Sequence, residues 1–379
     1  MRQHLMTEPL AASPDKRATN TAHRAGERGF SRLKFSLLLL LVLILAAAAA
    51  MLWVRSVVNR PVEHPSAERI ITVEPGTGAA GVIAKLSEAG IVRHPIALRL
   101  YLRLTGRSGG LRAGDYKFAS PISPMQAIDK IRRGEVFLER VTIPEGYNRF
   151  DIAETLAEKT GKATKEEFLR LMDDTSLIQR IAPQARNLEG YLFPDTYNYT
   201  TRTTPEELIR AMVNRFNEVF TPEWGARANQ ENLTVHQVVT LASIIEREAK
   251  IPDERPHMAS VFFNRLKMGM PLGSDPTFIY AAILAGDYDS NPNQPRHRQR
   301  QSPYNTYLVS GLPPGPIASP GRASLEAVLY PDQTEDLYFV VNSRDGRHKF
   351  SRTAAEHDAA VSEYRKLQKE MREEQNANR

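Results

Sequence analysis

The sequence predicts an α+β protein with one N-terminal transmembrane helix, a small β-α-α-β-α module and a mixed, largely helical body. Three observations carry this. Residues 35–54 are twenty uncharged, mostly apolar residues. A strand–turn–helix pattern occurs twice, at 71–86 and 141–156, aligned without a gap. Amphipathic stretches at helical spacing then dominate the chain from 160 to 268.

The run "FSLLLLLVLILAAAAAMLWV" is long enough to cross a hydrocarbon core of about 30 Å. Trp53 closes it, as suits an interfacial aromatic. A signal peptide has a shorter apolar core and ends at a small-residue cleavage site. Here the apolar run continues past the alanines to Val54. Residues 1–34 hold seven basic and three acidic side chains. That basic flank predicts a cytoplasmic tail at 1–34 and a body outside the membrane. Residues 55–69, polar with two prolines and no period, read as a linker.

The body past residue 54 carries 43 basic and 41 acidic residues, so the high pI belongs to the tail. A nucleic-acid partner would want a basic stripe on the folded part, and none is predicted. The chain has no cysteine, which excludes disulfides and thiolate metal sites. No cofactor or metal motif appears: there is no H-E-x-x-H pair, no G-x-S-x-G elbow and no phosphate loop.

Residues 70–138 form the module. "ITVEPGTGAAGVIAKL" gives a strand, a Pro-Gly turn and a helix. "HPIALRLYLRL" gives a second helix with Pro95 near its start. "AGDYKFASPISPMQAIDKIRRGE" gives a strand and a helix begun at Ser123-Pro124, since proline is tolerated in a first helical turn. In the repeated pattern Gly76 matches Gly146, the residue that lets each turn take positive φ.

Residues 139–360 form the body. "TKEEFLRLMDD" and "TPEELIRAMVNRFNEVF" are amphipathic helices, interrupted by the aromatic "NLEGYLFPDTYNYT". Two helices follow, 234–250 and 254–268. Asp275 reads as the N-cap of "PTFIYAAIL". Residues 286–321 are irregular and proline-rich, a length of loop that is often functional. "DLYFVV" and "RHKF" read as a hairpin, and 361–379 as a charged, fraying tail.

Within 234–250, successive residues turn by about 100°. Glu246 falls between Val235 and Val239 on the apolar arc. His236, Thr240, Ser243 and Arg247 fall on the opposite arc, which reads as the solvated back. Glu248 lies at the boundary, next to Gln237. Burial and the nearby helix C-terminus both disfavour a charged Glu246. A carboxyl kept protonated near neutral pH is what a general acid needs. The structural alternative is a Glu246 paired with a buried arginine such as Arg265. Other acids sit in suggestive loops: Glu189, Asp195 and Asp275. Tyr191, Phe193, Tyr197, Tyr199, Tyr304 and Tyr307 suit either sugar stacking or core packing. His348 and His357 read as structural or groove-lining.

"NLEGYLFPDTY", "LASIIEREA", "ASVFFNRLKMGMPLGSDPT", "SPYNTYLVSGLPPGPIASPG" and "DGRHKFSRT", in this order, resemble the endolytic murein transglycosylases, the MltG or YceG-like family. The resemblance covers about residues 70–360. It implies a LysM-like module at 70–138 and a YceG-like catalytic domain at 139–360. It implies cleavage of the β-1,4 bond between N-acetylmuramic acid and N-acetylglucosamine in peptidoglycan strands, leaving 1,6-anhydromuramoyl ends. Glu246 matches the family's catalytic block, and Glu189, Asp275, Tyr304, Asn305, Thr306 and Tyr307 are expected to line the substrate groove. The resemblance further implies an inner-membrane protein with a periplasmic body near peptidoglycan synthases. The reading from another class is a membrane-anchored, peptidoglycan-binding scaffold without turnover. A weaker one is a division tether whose tail binds cytoplasmic partners.

Overall fold

The structure is a computed structural model describing residues 19–291, 294–342 and 344–377. Residues 1–18 of the expected cytoplasmic tail, and 378–379 of the C-terminal tail, lie outside the described residues. The chain divides into two compact units, 1–137 and 138–379.

The first unit opens with α1 (Thr19–Asn59), of which Lys34–Asn59 is long and apolar enough to cross a membrane. It continues through β1 (Ile71–Val73), α2 (Ala79–Glu88), α3 (Pro95–Leu104), β2 (Gly114–Tyr116) and α4 (Pro124–Arg133). This is the β-α-α-β-α order expected. Strands β1 and β2 pair antiparallel, with Ile71 opposite Tyr116. Helix α4 begins where Ser123-Pro124 predicts: Ser123 and Gln126 form a reciprocal capping box. The core gathers Val82, Leu86, Leu98, Leu102, Tyr116 and Ile128.

The segment expected as a linker is built into this unit. Helix α1 continues to Asn59, and Val54 and Val58 are buried in the module's core. Val62 then exchanges two backbone hydrogen bonds with Ile122, and the His64 amide donates to Ser120 Oγ at 3.0 Å. Two valines four residues apart make one helical contact, too short to register as a period.

The second unit holds β3 (Glu139–Thr142), α5 (Arg149–Thr160), α6 (Lys165–Met172), β4 (Thr196–Tyr199), α7 (Pro205–Val219) and α8 (Pro222–Gln230). It continues with α9 (Val235–Glu248), α10 (Arg255–Lys267), α11 (Asp275–Leu284), α12 (Pro295–Arg298), α13 (Arg322–Leu329), β5 (Tyr338–Val341), β6 (His348–Ser351) and α14 (Ala354–Ala377). Strand β3 pairs antiparallel with β4, and β5 with β6 as the expected hairpin. The repeated pattern is real in geometry. Helices α2 and α5 start seventy residues apart, and Gly76 and Gly146 have φ of 79° and 78°.

Helix α9 runs through the core, capped by a Thr234–Gln237 box. Of its polar arc only Arg247 is exposed, as the sequence suggested for the whole arc. His236, Thr240 and Ser243 are all buried. The proline-rich chain after Gly311 partners His236 and Ser243, while the Thr240 hydroxyl donates to the His236 carbonyl within the helix. Ser243 Oγ accepts from the Ile317 amide at 3.0 Å. His236 Nε2 donates to the Pro314 carbonyl at 2.9 Å, which leaves Nδ1 to accept from Tyr191 Oη at 2.8 Å. Buried polar groups need partners. Here the irregular segment supplies them to His236 and Ser243 and is thereby held against the helix.

Candidate active site

The last turn of α9 presents two carboxylates to two different environments. The Glu246 side chain is only 6% exposed. It is not an isolated acid among apolar neighbours. Arg255 Nη2 donates to its Oε1 at 3.1 Å, and the Gly321 amide donates to its Oε2 at 2.9 Å. Arg255 is held in turn, donating from Nε to Ser324 Oγ. Arg265, the partner considered from sequence, instead donates to the Leu272 and Leu337 carbonyls, both at 2.6 Å.

A third carboxyl stands at this corner. Backbone hydrogen bonds tie Gly146 to Ser319 and Ser319 to Tyr147, so the β3–α5 turn lies along the chain leading into α13. That brings Glu145 against Gly321, where an added Cβ would fall 1.9 Å from Glu145 Oε1. Only glycine leaves that space. Desolvation at this contact, and then the charge of Glu246, raise the Glu145 carboxyl, while Arg255 opposes the shift. Glu145 is exposed as a residue, so the desolvation acts on its carboxyl end.

Glu248, the last residue of α9, faces the other way. It lines a cavity of about 610 Å³ together with Arg265, Asp275, Arg298, Tyr307 and Tyr338. Ser274 donates its hydroxyl to Glu248 Oε1 at 2.5 Å. Burial of the carboxyl pushes it up to about 7, with the Asp275 charge adding to the shift and Ser274 and Arg265 working against it. The backbone leaves the helix at Ala249 in extended geometry, so the carboxyl sits at the helix end.

Asp275 is exposed at this cavity. It is the first residue of α11 and does not cap it: Ser274 occupies the cap position without a side-chain bond. Asp275 Oδ1 instead accepts from Tyr307 Oη at 2.5 Å. Burial and Asp275 hold the Tyr307 hydroxyl well above its usual range, so it remains a donor. The Arg298 guanidinium lies 4.1 Å over the Tyr307 ring, and Arg265 lies 5.3 Å over Tyr338. His348 and His357 also line the cavity; His348 Nδ1 pairs with Glu254 at 2.7 Å.

The other expected groove residues sit behind this wall. Asn305 and Thr306 are buried. Asn305 donates to the Arg298 and Arg300 carbonyls. Thr306 Oγ1 accepts from the Ser274 amide at 3.0 Å and pairs with Thr277. Thr306 and Thr277 therefore fix Ser274, and Ser274 fixes Glu248. Tyr304 is half-buried, its ring 5.2 Å from Tyr280. Glu189 is 3% exposed, and both its oxygens accept from the Arg149 amide at the start of α5. Tyr280 Oη donates to it at 2.8 Å, and burial pushes its carboxyl up to about 7. Glu189 thus ties α5 to α11 from inside the core. Asp195, also considered, pairs with Arg215 at 2.8 Å.

Sequence reasoning set Glu248 at the boundary of the apolar arc and Arg265 beside Glu246, and placed neither of them, nor Arg298, at this cavity. The signal was present: Glu248 falls about 20° from Leu241 on the helical wheel, closer to the apolar arc than its polar neighbour Gln237 suggests. Arg265 and Arg298 carry no spacing signal, because they reach the cavity from different elements.

Known proteins with the same pattern agree on what this chain is. The family model described as the YceG-like family matches residues 71–363. The chain is 32% identical over 338 residues to the endolytic murein transglycosylase of Bacillus subtilis, a match covering 83% of this chain and 90% of that protein. It is 30% identical over 337 residues to the protein of the same name from Streptococcus pneumoniae serotype 2, covering 80% of this chain and 60% of that longer relative. A YceG-like protein of Listeria monocytogenes, solved at 2.6 Å, superposes with a TM-score of 0.54 at 30% identity, covering 76% of this chain and 97% of its own. With the family model spanning most of the chain and a relative matched along nearly its whole length, this protein belongs to the YceG-like family.

Proposed function

We propose that this protein is an endolytic lytic transglycosylase that cuts the β-1,4 bond between N-acetylmuramic acid and N-acetylglucosamine within peptidoglycan strands. The observation that carries the site assignment is Glu248: a carboxyl raised to about 7, at the wall of an open cavity lined by arginine and tyrosine. Family membership supplies the substrate class; the cavity supplies the chemistry.

In this reading protonated Glu248 gives its proton to the glycosidic oxygen as the bond to the muramoyl C1 breaks. The muramoyl O6 attacks C1, and Glu248, now a carboxylate, takes the proton from that hydroxyl. A 1,6-anhydro ring forms, the leaving strand departs with a free hydroxyl, and water is not consumed. One carboxyl serves as acid and then base, which suits a pKa near the working pH. Asp275 faces the developing positive charge at C1. Tyr307, Tyr338 and the arginines over them offer faces and donors to the sugar.

The second reading keeps the acid at Glu246, where the family resemblance expects it. The observation favouring it is Glu145, a second carboxyl beside Gly321 and raised partly by Glu246. Against it stand Arg255 and the Gly321 amide, which occupy both Glu246 oxygens. Glu248→Gln and Glu246→Gln, digested in parallel on purified sacculi, separate the two. The first reading expects anhydro-ended fragments to vanish with Glu248→Gln in a folded protein.

The remaining parts follow from the same proposal. Helix α1 anchors the protein in the inner membrane with its basic N-terminal tail cytoplasmic and both compact units periplasmic. The β-α-α-β-α module is LysM-like and bears on the glycan or spaces the active site from the bilayer. A tethered cutter of nascent strands works beside peptidoglycan synthases. A peptidoglycan-binding scaffold is the rival class, and absence of anhydro ends from the wild-type digest would favour it.

A further inference from the structure

Helix α3 carries a stripe of large apolar side chains that nothing covers. Ile96, Leu100 and Leu104 recur every four residues, so they share one face. They are 83%, 48% and 60% exposed. The opposite face, Leu98 and Leu102, is buried in the module. A contiguous exposed apolar patch on a folded unit marks a surface that meets something.

Its place in the fold says what. Twenty residues of helix, 35–54, span about 30 Å, the thickness of a hydrocarbon core. Trp53 and Val54 therefore stand together at the boundary of that core, where it meets the interfacial layer. Helix α3 packs against α1 at this level. The Trp53 ring meets His94 edge-on at 5.6 Å, and Trp53, Val54, His94, Ile96 and Leu100 share one crevice of about 350 Å³. Val54 and Val58 are buried against the module, so the module cannot lift away from this level without breaking its own core. The charges fit as well. Helix α3 contains no acidic residue, and Arg93, Arg99 and Arg103 are exposed around the stripe. Arginine stems lie along apolar surface while their guanidinium groups reach phosphate.

We propose that α3 is a membrane-surface helix: its Ile96–Leu100–Leu104 stripe lies in the phospholipid headgroup layer beside Trp53, with Arg93, Arg99 and Arg103 on lipid phosphates. This rests on the reading of α1 as a membrane anchor. Its consequence is mechanical. A module seated on the bilayer by two helices has a fixed height and orientation, which a single flexible stalk would not provide.

The chain has no cysteine, so single-cysteine probes can be placed in the full-length protein. Nitroxide labels at Ile96→Cys and Leu100→Cys are measured in phosphatidylglycerol–phosphatidylcholine nanodiscs for collision with oxygen and with a neutral nickel chelate. Leu43→Cys in the anchor and Glu68→Cys, whose side chain is 96% exposed, are the references. The proposal expects the oxygen-to-nickel ratio at Ile96 and Leu100 to lie below that of Leu43 in the core and several-fold above that of Glu68. A ratio equal to Glu68 overturns it, as does protection from both reagents, which means a protein contact. A Leu43 label open to nickel would sink the anchor reading itself, a result distinct from failure at α3 alone.

Discussion

Arg255 and Glu246 form an ion pair at 3.1 Å with side chains only 10% and 6% exposed, and each is tied further, to Ser324 and to the Gly321 amide. Breaking a buried pair by removing one partner strands a charge. Arg255→Ala is expected to cost about 3–5 kcal/mol, the usual cost of a stranded buried charge. Urea unfolding measures it. A loss near that of an exposed pair, under about 1 kcal/mol, would mean that this corner is open to water.

Gly321→Ala tests the crowding at the same corner. Its backbone, φ −75° and ψ 172°, accepts any residue, so the cost comes from the clash at the added Cβ, whose nearest neighbours are the Glu145 carboxyl atoms. The clashing atoms are the end of a flexible side chain. The change should therefore cost only about 1 kcal/mol, within the range of ordinary point mutations. Combining it with Glu145→Ala should recover most of that cost, a coupling that a double-mutant cycle reads directly. Strict additivity would show that Glu145 does not press on Gly321.

Ser243→Ala probes the covering segment. The Ser243 hydroxyl is buried, accepts from the Ile317 amide and donates to the Thr240 carbonyl at 2.7 Å. Its loss leaves a buried amide without a partner, at a cost of about 1–3 kcal/mol. Hydrogen exchange at Ile317 should quicken together with the loss of stability. Unchanged exchange there would mean that the hydroxyl does not hold the segment.

Much of this fold was legible because its signals are local. Gly76 and Gly146 marked two turns by what only glycine does easily. Ser123-Pro124 and Thr234 started helices at residues the chemistry of capping names. What was not legible was long-range. The polar arc of α9 looked solvated, because nothing near it in sequence says that Pro314 and Ile317, more than seventy residues on, will bond to it. A buried arginine partner for Glu246 is legible as an alternative, but spacing points to Arg265 rather than Arg255, which reaches Glu246 only after the chain reverses at Pro252. Asp275 had the composition of an N-cap, yet Tyr307 takes its oxygen. The site is assembled from ends of elements, and helical periodicity does not report on ends.

Glu248 sets a pH dependence. The sign follows from its raised carboxyl: the folded protein holds this proton more tightly than the unfolded chain, whose value is near 4.5. Its contribution to stability is present below that value and is lost as pH rises from about 4.5 through about 7. Glu189 acts in the same sense. The melting temperature should therefore fall less steeply over this window in Glu248→Gln than in the wild type. An unchanged slope would show that Glu248 does not titrate there.

Activity should follow the same group. Glycan cleavage that needs protonated Glu248 declines as pH rises above about 7. Asp275 helps to raise Glu248, so Asp275→Asn should move that decline to lower pH, apart from any effect on rate. A decline that stays in place would detach the two carboxyls.

The most direct test is a parallel digest of purified sacculi by the wild type, Glu248→Gln and Glu246→Gln, with anhydromuramoyl ends counted by mass and folding checked by thermal melting. With Glu248 as the proton carrier, its glutamine variant melts cooperatively and yields no anhydro ends, while Glu246→Gln loses stability but still cleaves to the extent that it folds. Anhydro ends at the wild-type level from Glu248→Gln would contradict the account.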